Sequence, residues 1–180
     1  MMRLKVEKVV SKATNMTINI DGDIPIVIDI HNSVGSPPLY WRVGNGKKSL
    51  LEIAVLPENG FLSAVSLIII DPFAVRKVND LSIKSSYDKE MLPVFNLNLW
   101  GEICCNNFSH RFFDSFDLDI DVALSSNSIL LAIGNNDGIV NWIKCGENFY
   151  LGTNDNREIS GLFLENLTSE EVENFLISIN

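Results

Sequence analysis

Over most of its length the chain alternates apolar and polar residues with a period of two, the signature of half-buried strands. Met16–Ile20, the Asp21-Gly22 turn signal and Ile24–Ile30 predict a hairpin, with Pro25 at a strand start or edge. Leu39–Val43 predicts a short strand closed by Gly44-Asn45-Gly46. Leu50–Leu56, the Pro57-Glu58-Asn59-Gly60 turn and Phe61–Ile70 form the clearest hairpin. Its second arm ends in Leu67-Ile68-Ile69-Ile70, apolar on both faces, and so is expected to lie in a sheet covered on both sides. Residues 71–90 are more polar and read as a connection. Strand patterns resume at 93–100, 112–124, 129–134, 139–145, 149–152 and 159–164, separated by turn signals at 135–138 and 154–156 that space them as an antiparallel meander.

One helix is well marked. Thr168-Ser169-Glu170-Glu171 is a capping-box pattern, and Val172, Phe175, Leu176 and Ile179 follow at helical spacing. Leu4–Ser11 fits a helix or, through Val6, Val9 and Val10, a strand. Segment 58–67 also echoes 155–164, pairing Asn59 with Asn156, Ser63 with Ser160 and Leu67 with Leu164. The expected fold is α+β, mostly antiparallel β, with two packed sheets or half-domains of hairpins and a C-terminal helix. It occupies 1–180 as a single domain, with two pseudo-repeated halves, 1–75 and 91–180, joined by 76–90.

Composition changes this picture only where it is uneven. The 180 residues are 46% hydrophobic and 21% charged, which excludes wholesale disorder. The longest near-apolar stretch, 61–70, is half the ~20 residues of a membrane-spanning helix, and the N-terminus lacks the apolar run of a secretory signal. A cytoplasmic location follows as the expectation. The net charge is −9, but residues 1–90 carry 11 Lys and Arg against 10 Asp and Glu, whereas 91–180 carry 3 against 13. Such acidity argues against direct nucleic-acid binding.

Within the acidic half, Asp117, Asp119 and Asp121 alternate with Leu118, Ile120 and Val122. On a strand the three carboxylates share one face about 7 Å apart, with Asp114 off the register but close. A ladder of like charges is destabilising unless water or a cationic partner surrounds it. It is therefore either a solvated outer face or a docking surface for a basic partner. Phe113, Phe116 and Trp142 are the aromatic anchors available near it, and the candidate partner-binding residues are Asp114, Asp117, Asp119, Asp121, Phe116 and Trp142.

Catalytic and metal patterns fail on inspection. Counting from Asp117, the Gly and Glu positions of an EF-hand loop hold Val122 and Ser128. Asp29, His31 and Ser33 lie in one short segment without a nucleophile elbow, and His110 near Cys104 and Cys105 is proximity in sequence alone. Gly44-Asn45-Gly46-Lys47-Lys48 lacks phosphate-loop spacing. Three cysteines, two of them adjacent, make neither a disulfide framework nor a zinc site. No enzyme activity and no cofactor are expected.

The stretch Ser49–Leu67 resembles, together with the ending in which Phe149-Tyr150-Leu151-Gly152 leads to Ile159–Glu171, small bacterial immunity proteins paired with toxins of contact-dependent growth inhibition and related polymorphic systems. The resemblance implies a non-enzymatic cytoplasmic inhibitor that binds one cognate toxin domain, often a nuclease, and blocks its active site. It implies neither nucleic-acid nor membrane binding. An acidic secretion chaperone, richer in helix, and a small-ligand-binding or enzyme domain are the alternatives.

Overall fold

The computed structural model describes residues 2–31, 35–101, 107–134 and 138–180. The strands are β1 (Val6–Val10), β2 (Asn15–Asn19), β3 (Ile26–His31), β4 (Leu39–Gly44), β5 (Leu50–Val55), β6 (Leu62–Ile69), β7 (Val75–Lys77) and β8 (Leu92–Phe95) in the first half. The second half adds β9 (Phe112–Ser115), β10 (Ile120–Leu124), β11 (Ile129–Ile133), β12 (Asn141–Lys144), β13 (Phe149–Thr153), β14 (Ile159–Leu164) and the helix α1 (Ser169–Ser178). The fold is mostly β, with largely antiparallel sheets and one C-terminal helix, as the periodicity predicts.

Two six-stranded sheets pack face to face. The first has the order β2-β3-β6-β5-β4-β9 and the second β12-β13-β14-β11-β10-β7. Alternation places Ile26, Ile28, Trp41, Val43, Leu51 and Ile53 of the first sheet against Val122, Leu131, Ile143, Leu151 and Leu162 of the second, in one continuous core. The five antiparallel strands of each sheet follow one shared order: in chain sequence, first, second, fifth, fourth, third. The echo between 58–67 and 155–164 falls on equivalent hairpins, β5–β6 and β13–β14. Both hairpins carry a register shift near the end of the first arm and a left-handed residue before the second, Gly60 at φ 73° and Arg157 at φ 62°.

A two-stranded strap closes the side of the sandwich. β1 pairs antiparallel with β8, and each touches one hairpin tip: Val6 N–H donates to Arg157 O at 2.9 Å, and Phe95 N–H to Gly60 O at 2.7 Å. Of the two readings open for Leu4–Ser11, the structure takes the strand, because Val6 inserts into the core while Glu7 and Lys8 face water. α1 follows its predicted cap. Glu171 N–H donates to Thr168 Oγ1 at 3.1 Å, Thr168 N–H donates to Glu171 Oε2 at 2.8 Å, and Phe175 is driven into the core.

Four expectations are corrected. The segment 112–124 is two strands, since β9 joins the first sheet and β10 the second. The connection 71–90 contains β7, which pairs parallel with β10. Each sheet thus ends on a strand from the other half, so two strands cross the expected division of the chain. The second half is not a simple meander, because β11 neighbours β10 and β14 rather than β12. Finally, Leu67–Ile70 is covered on one face only, with Ile69 40% exposed. The covered outer face belongs instead to the second sheet, where Leu81 and Ile83 pack over Trp142, Tyr150 and Phe163.

Candidate docking face

The candidate site is built where the chain passes from one sheet to the other. β9 lies parallel to β4, with Tyr40, Trp41, Arg42 and Val43 opposite Phe112, Phe113, Asp114 and Ser115. Three contacts hold this short strand. The Trp41 indole N–H donates to Ser115 Oγ at 2.9 Å, and Ser115 Oγ in turn donates to Met2 O at 2.9 Å. Arg42 grips Asp114 with two bonds of 2.6 and 2.8 Å, and the Tyr40 and Phe112 rings stack at 5.1 Å. The chain then turns at residues 116–117, buries Leu118 and enters β10, while Gly134 N–H donates to Asp119 O at 2.8 Å.

The alternation of burial predicted for the aspartates is present, although only Asp121 sits in a regular strand. Asp117 occupies the turn and Asp119 the extended approach to β10. All three are exposed, while Leu118, Ile120 and Val122 are buried. None of the three carboxylates has an ion-pair partner among the described residues. Asp114 differs, because its charge is engaged by Arg42, whose proton is held above the ordinary guanidinium value chiefly by that hydrogen bond. Glu52, opposite Arg42 on β5, has its carboxyl pushed up by burial, with the neighbouring Arg42 opposing the shift.

A second crossover reaches the same place. After β6 the chain makes a single 3₁₀ turn, in which Asp71 caps Phe73 N–H at 2.9 Å and Pro72 starts the turn. Phe73 is left 99% exposed. Beside it, Asn45, Lys48, Ser49, Asp71, Asp119 and Asp121 line a shallow polar depression of about 210 Å³. Lys48 pairs with Asp71 at 3.6 Å. On the other flank Phe116, 41% exposed, rests against Gly46, where any Cβ would come within 3.3 Å of its ring, and the Arg42 guanidinium lies 5.7 Å from its centroid. Phe108, also exposed, packs edge-on to Phe112.

The structure therefore brings Asp114, Phe116, Asp117, Asp119 and Asp121 together along one crossover. It does not bring Trp142. That side chain is 9% exposed on β12, four strand positions from β10 or roughly 19 Å, packed under Leu81 and Ile83. Phe73, Arg42 and Tyr40 were missed by sequence reasoning. The signal for Phe73 was a large aromatic inside a Pro-containing turn, where no strand or helix period claims it.

The catalytic and metal patterns weighed in the sequence are not assembled among the described residues. His31 is exposed and hydrogen-bonds Thr17 at 3.3 Å, and Ser33 lies outside the described residues. His110 hydrogen-bonds Asn107, while Cys104 and Cys105 lie outside the described residues. The Gly44–Lys48 turn is closed by Asn45 Oδ1, which accepts from the N–H groups of Lys47, Lys48 and Ser49, so these donors are unavailable to a phosphate. Cys145 is buried, and burial pushes its thiol up to about 12. Among the described residues no cluster of three or more His, Cys, Asp or Glu is placed to hold a metal, and no helix is long and apolar enough to cross a membrane.

Against known proteins, the chain is 46% identical over 84 residues to "Immunity protein CdiI-1" of Escherichia coli O157:H7 (strain EC869). The match spans 98% of that protein and 47% of this chain. No family model matches.

Proposed function

The chain belongs to the immunity proteins of contact-dependent growth inhibition, and from that premise we infer that it docks on a cognate toxin domain in the cytoplasm and neutralises it by occupying a basic, nucleic-acid-binding surface. The single observation that carries this reading is the crossover face, where Asp117, Asp119 and Asp121 stand exposed, without an ion pair among the described residues, between two exposed phenylalanines, Phe73 and Phe116. A nuclease must hold phosphates with Lys and Arg, so a row of carboxylates is complementary to it. Charge complementarity accelerates encounter and fixes register, while desolvated aromatic anchors hold the complex together. The Arg42–Asp114 pair supports this face from behind by pinning β9 to β4.

The mechanism requires no covalent step: inhibition is by occupancy. The secretion-chaperone alternative fits less well, because it is expected to be helix-rich and a single α-helix is present among the described residues. The test is co-expression of this chain with the C-terminal domain of its neighbouring toxin. Growth should be restored and the two proteins should co-purify, with the toxin's nuclease activity suppressed at equimolar ratio. A toxin that remains lethal, or one that acts on a substrate other than nucleic acid, defeats the proposal at the first or second level respectively.

A further inference from the structure

Eight polar or charged residues are buried among the described residues. Seven have side-chain hydrogen bonds: Ser115 joins Trp41 to Met2, Ser125 and Ser128 share a bond of 2.6 Å, and Arg3 reaches Ser160. Thr153 is the exception. It is 3% exposed, and its hydroxyl makes no hydrogen bond among the described residues. A buried hydroxyl without a partner is destabilising and rare, and its presence asks for a reason.

Thr153 closes β13 beside Asn141 of β12, two residues after the core residue Leu151 and on the same inward face. At this end of the sandwich that face does not meet the opposite sheet. It meets a cavity of about 320 Å³ between β12–β13 and β1, at the lower end of the range for small-ligand pockets. Val6, Val9 and Ile143 form its apolar wall, and Lys8, Arg157 and Tyr87 stand at its rim. Neither cation has an ion-pair partner among the described residues, although Glu7 lines the same cavity. In a chain of net charge −9, Lys8 and Arg157 beside the single carboxylate of Glu7 leave this lining with a net positive charge.

Arg157 is held there at some conformational disadvantage. It sits at φ 62°, where the equivalent hairpin uses Gly60, and its Nη1 donates to Glu7 O at 3.2 Å, which fixes the guanidinium over the opening.

We propose that this cavity binds a small organic anion bearing a carboxylate or a phosphate. Its charged group lies between Lys8 and Arg157, and a hydroxyl or carbonyl reaches the Thr153 hydroxyl. The site is independent of toxin docking, since β12 and β10 lie four strand positions apart in the second sheet.

The test uses the full chain with two probes, citrate and inorganic phosphate, each titrated calorimetrically against sodium chloride at equal ionic strength. Saturable one-to-one binding of either probe is expected: citrate alone identifies the ligand group as a carboxylate, phosphate alone as a phosphate. Thr153→Val, nearly isosteric, is expected to weaken binding about tenfold while the free protein melts no lower than the wild type. Arg157→Asn, which keeps a residue tolerant of the left-handed conformation, is expected to weaken it at least as much and serves if the valine variant does not fold. Absence of saturable binding up to about 10 mM overturns the site, as does binding that both variants leave unchanged.

Discussion

Reversing two charges on the crossover, Asp117→Lys with Asp119→Lys, isolates the electrostatic part of docking. Both side chains are exposed and make no ion pair among the described residues, so folding stability should change by no more than about 0.5 kcal/mol. At a water-bridged separation of about 6 Å, a carboxylate and a partner cation attract by about 0.7 kcal/mol. Salt at about 0.01 M leaves roughly four-fifths of that, and about 1 M leaves roughly one-seventh. Replacing attraction by repulsion doubles each loss. The two substitutions together then cost about 2 kcal/mol at low salt, roughly a forty-fold slower association, but only a factor of about two at 1 M salt. Stopped-flow association with the toxin domain across this salt range reads the difference directly. Association curves for wild type and double mutant that coincide at low salt refute the role assigned to these carboxylates.

Three further outcomes test other parts of the structure. Phe73→Ala should leave thermal stability unchanged, because the ring touches almost nothing in the free protein, yet speed dissociation of the toxin at least tenfold by surface plasmon resonance. Ser115→Ala strands the Trp41 indole N–H in the core, at a cost of about 1–3 kcal/mol and a melting point lower by about 2–10 °C in calorimetry. For Cys145, the folded thiol lies near 12 against an ordinary 9.0, so the folded state binds this proton more tightly than the unfolded state does. Its contribution is complete below pH 9 and fades as pH rises toward 12. Urea titrations should accordingly show about 2 kcal/mol less stability at pH 10.5 than at pH 8 from this group, a decline that Cys145→Ala removes.

Local structure was legible wherever a short period met a turn residue. The hairpins at Asp21-Gly22 and Pro57–Gly60, and the helix behind Thr168, needed only neighbours in sequence. Sheet membership did not. Nothing in Phe112–Leu124 announces that its first four residues belong with β4 and its last five with β11: the phase slips by one residue at the 116–117 turn, and in sequence such a slip looks the same as a bulge within one strand. Nor do Val75-Arg76-Lys77, only three residues long, carry enough period to be seen as a strand. The acidic row is unaffected because all three aspartates lie after the slip, where burial alternates regularly from Leu118 onward. Trp142 lies apart from the acidic row for a related reason: which face of a strand is roofed by a distant segment is decided by packing, and Leu81 and Ile83 have no local tie to it.

The exchange of edge strands between the sheets sets the timetable for emergence from the ribosome. β4 is complete at Gly44 but waits for β9, which begins at Phe112, and β7 waits from Lys77 until β10 begins at Ile120. Neither sheet can finish before most of the chain is made, and the apolar inner face of the first has no cover until the second assembles. A nascent chain halted in mid-translation therefore displays a sticky, half-built layer, so a cell making this protein exposes a target for chaperones and proteases until synthesis has passed β14.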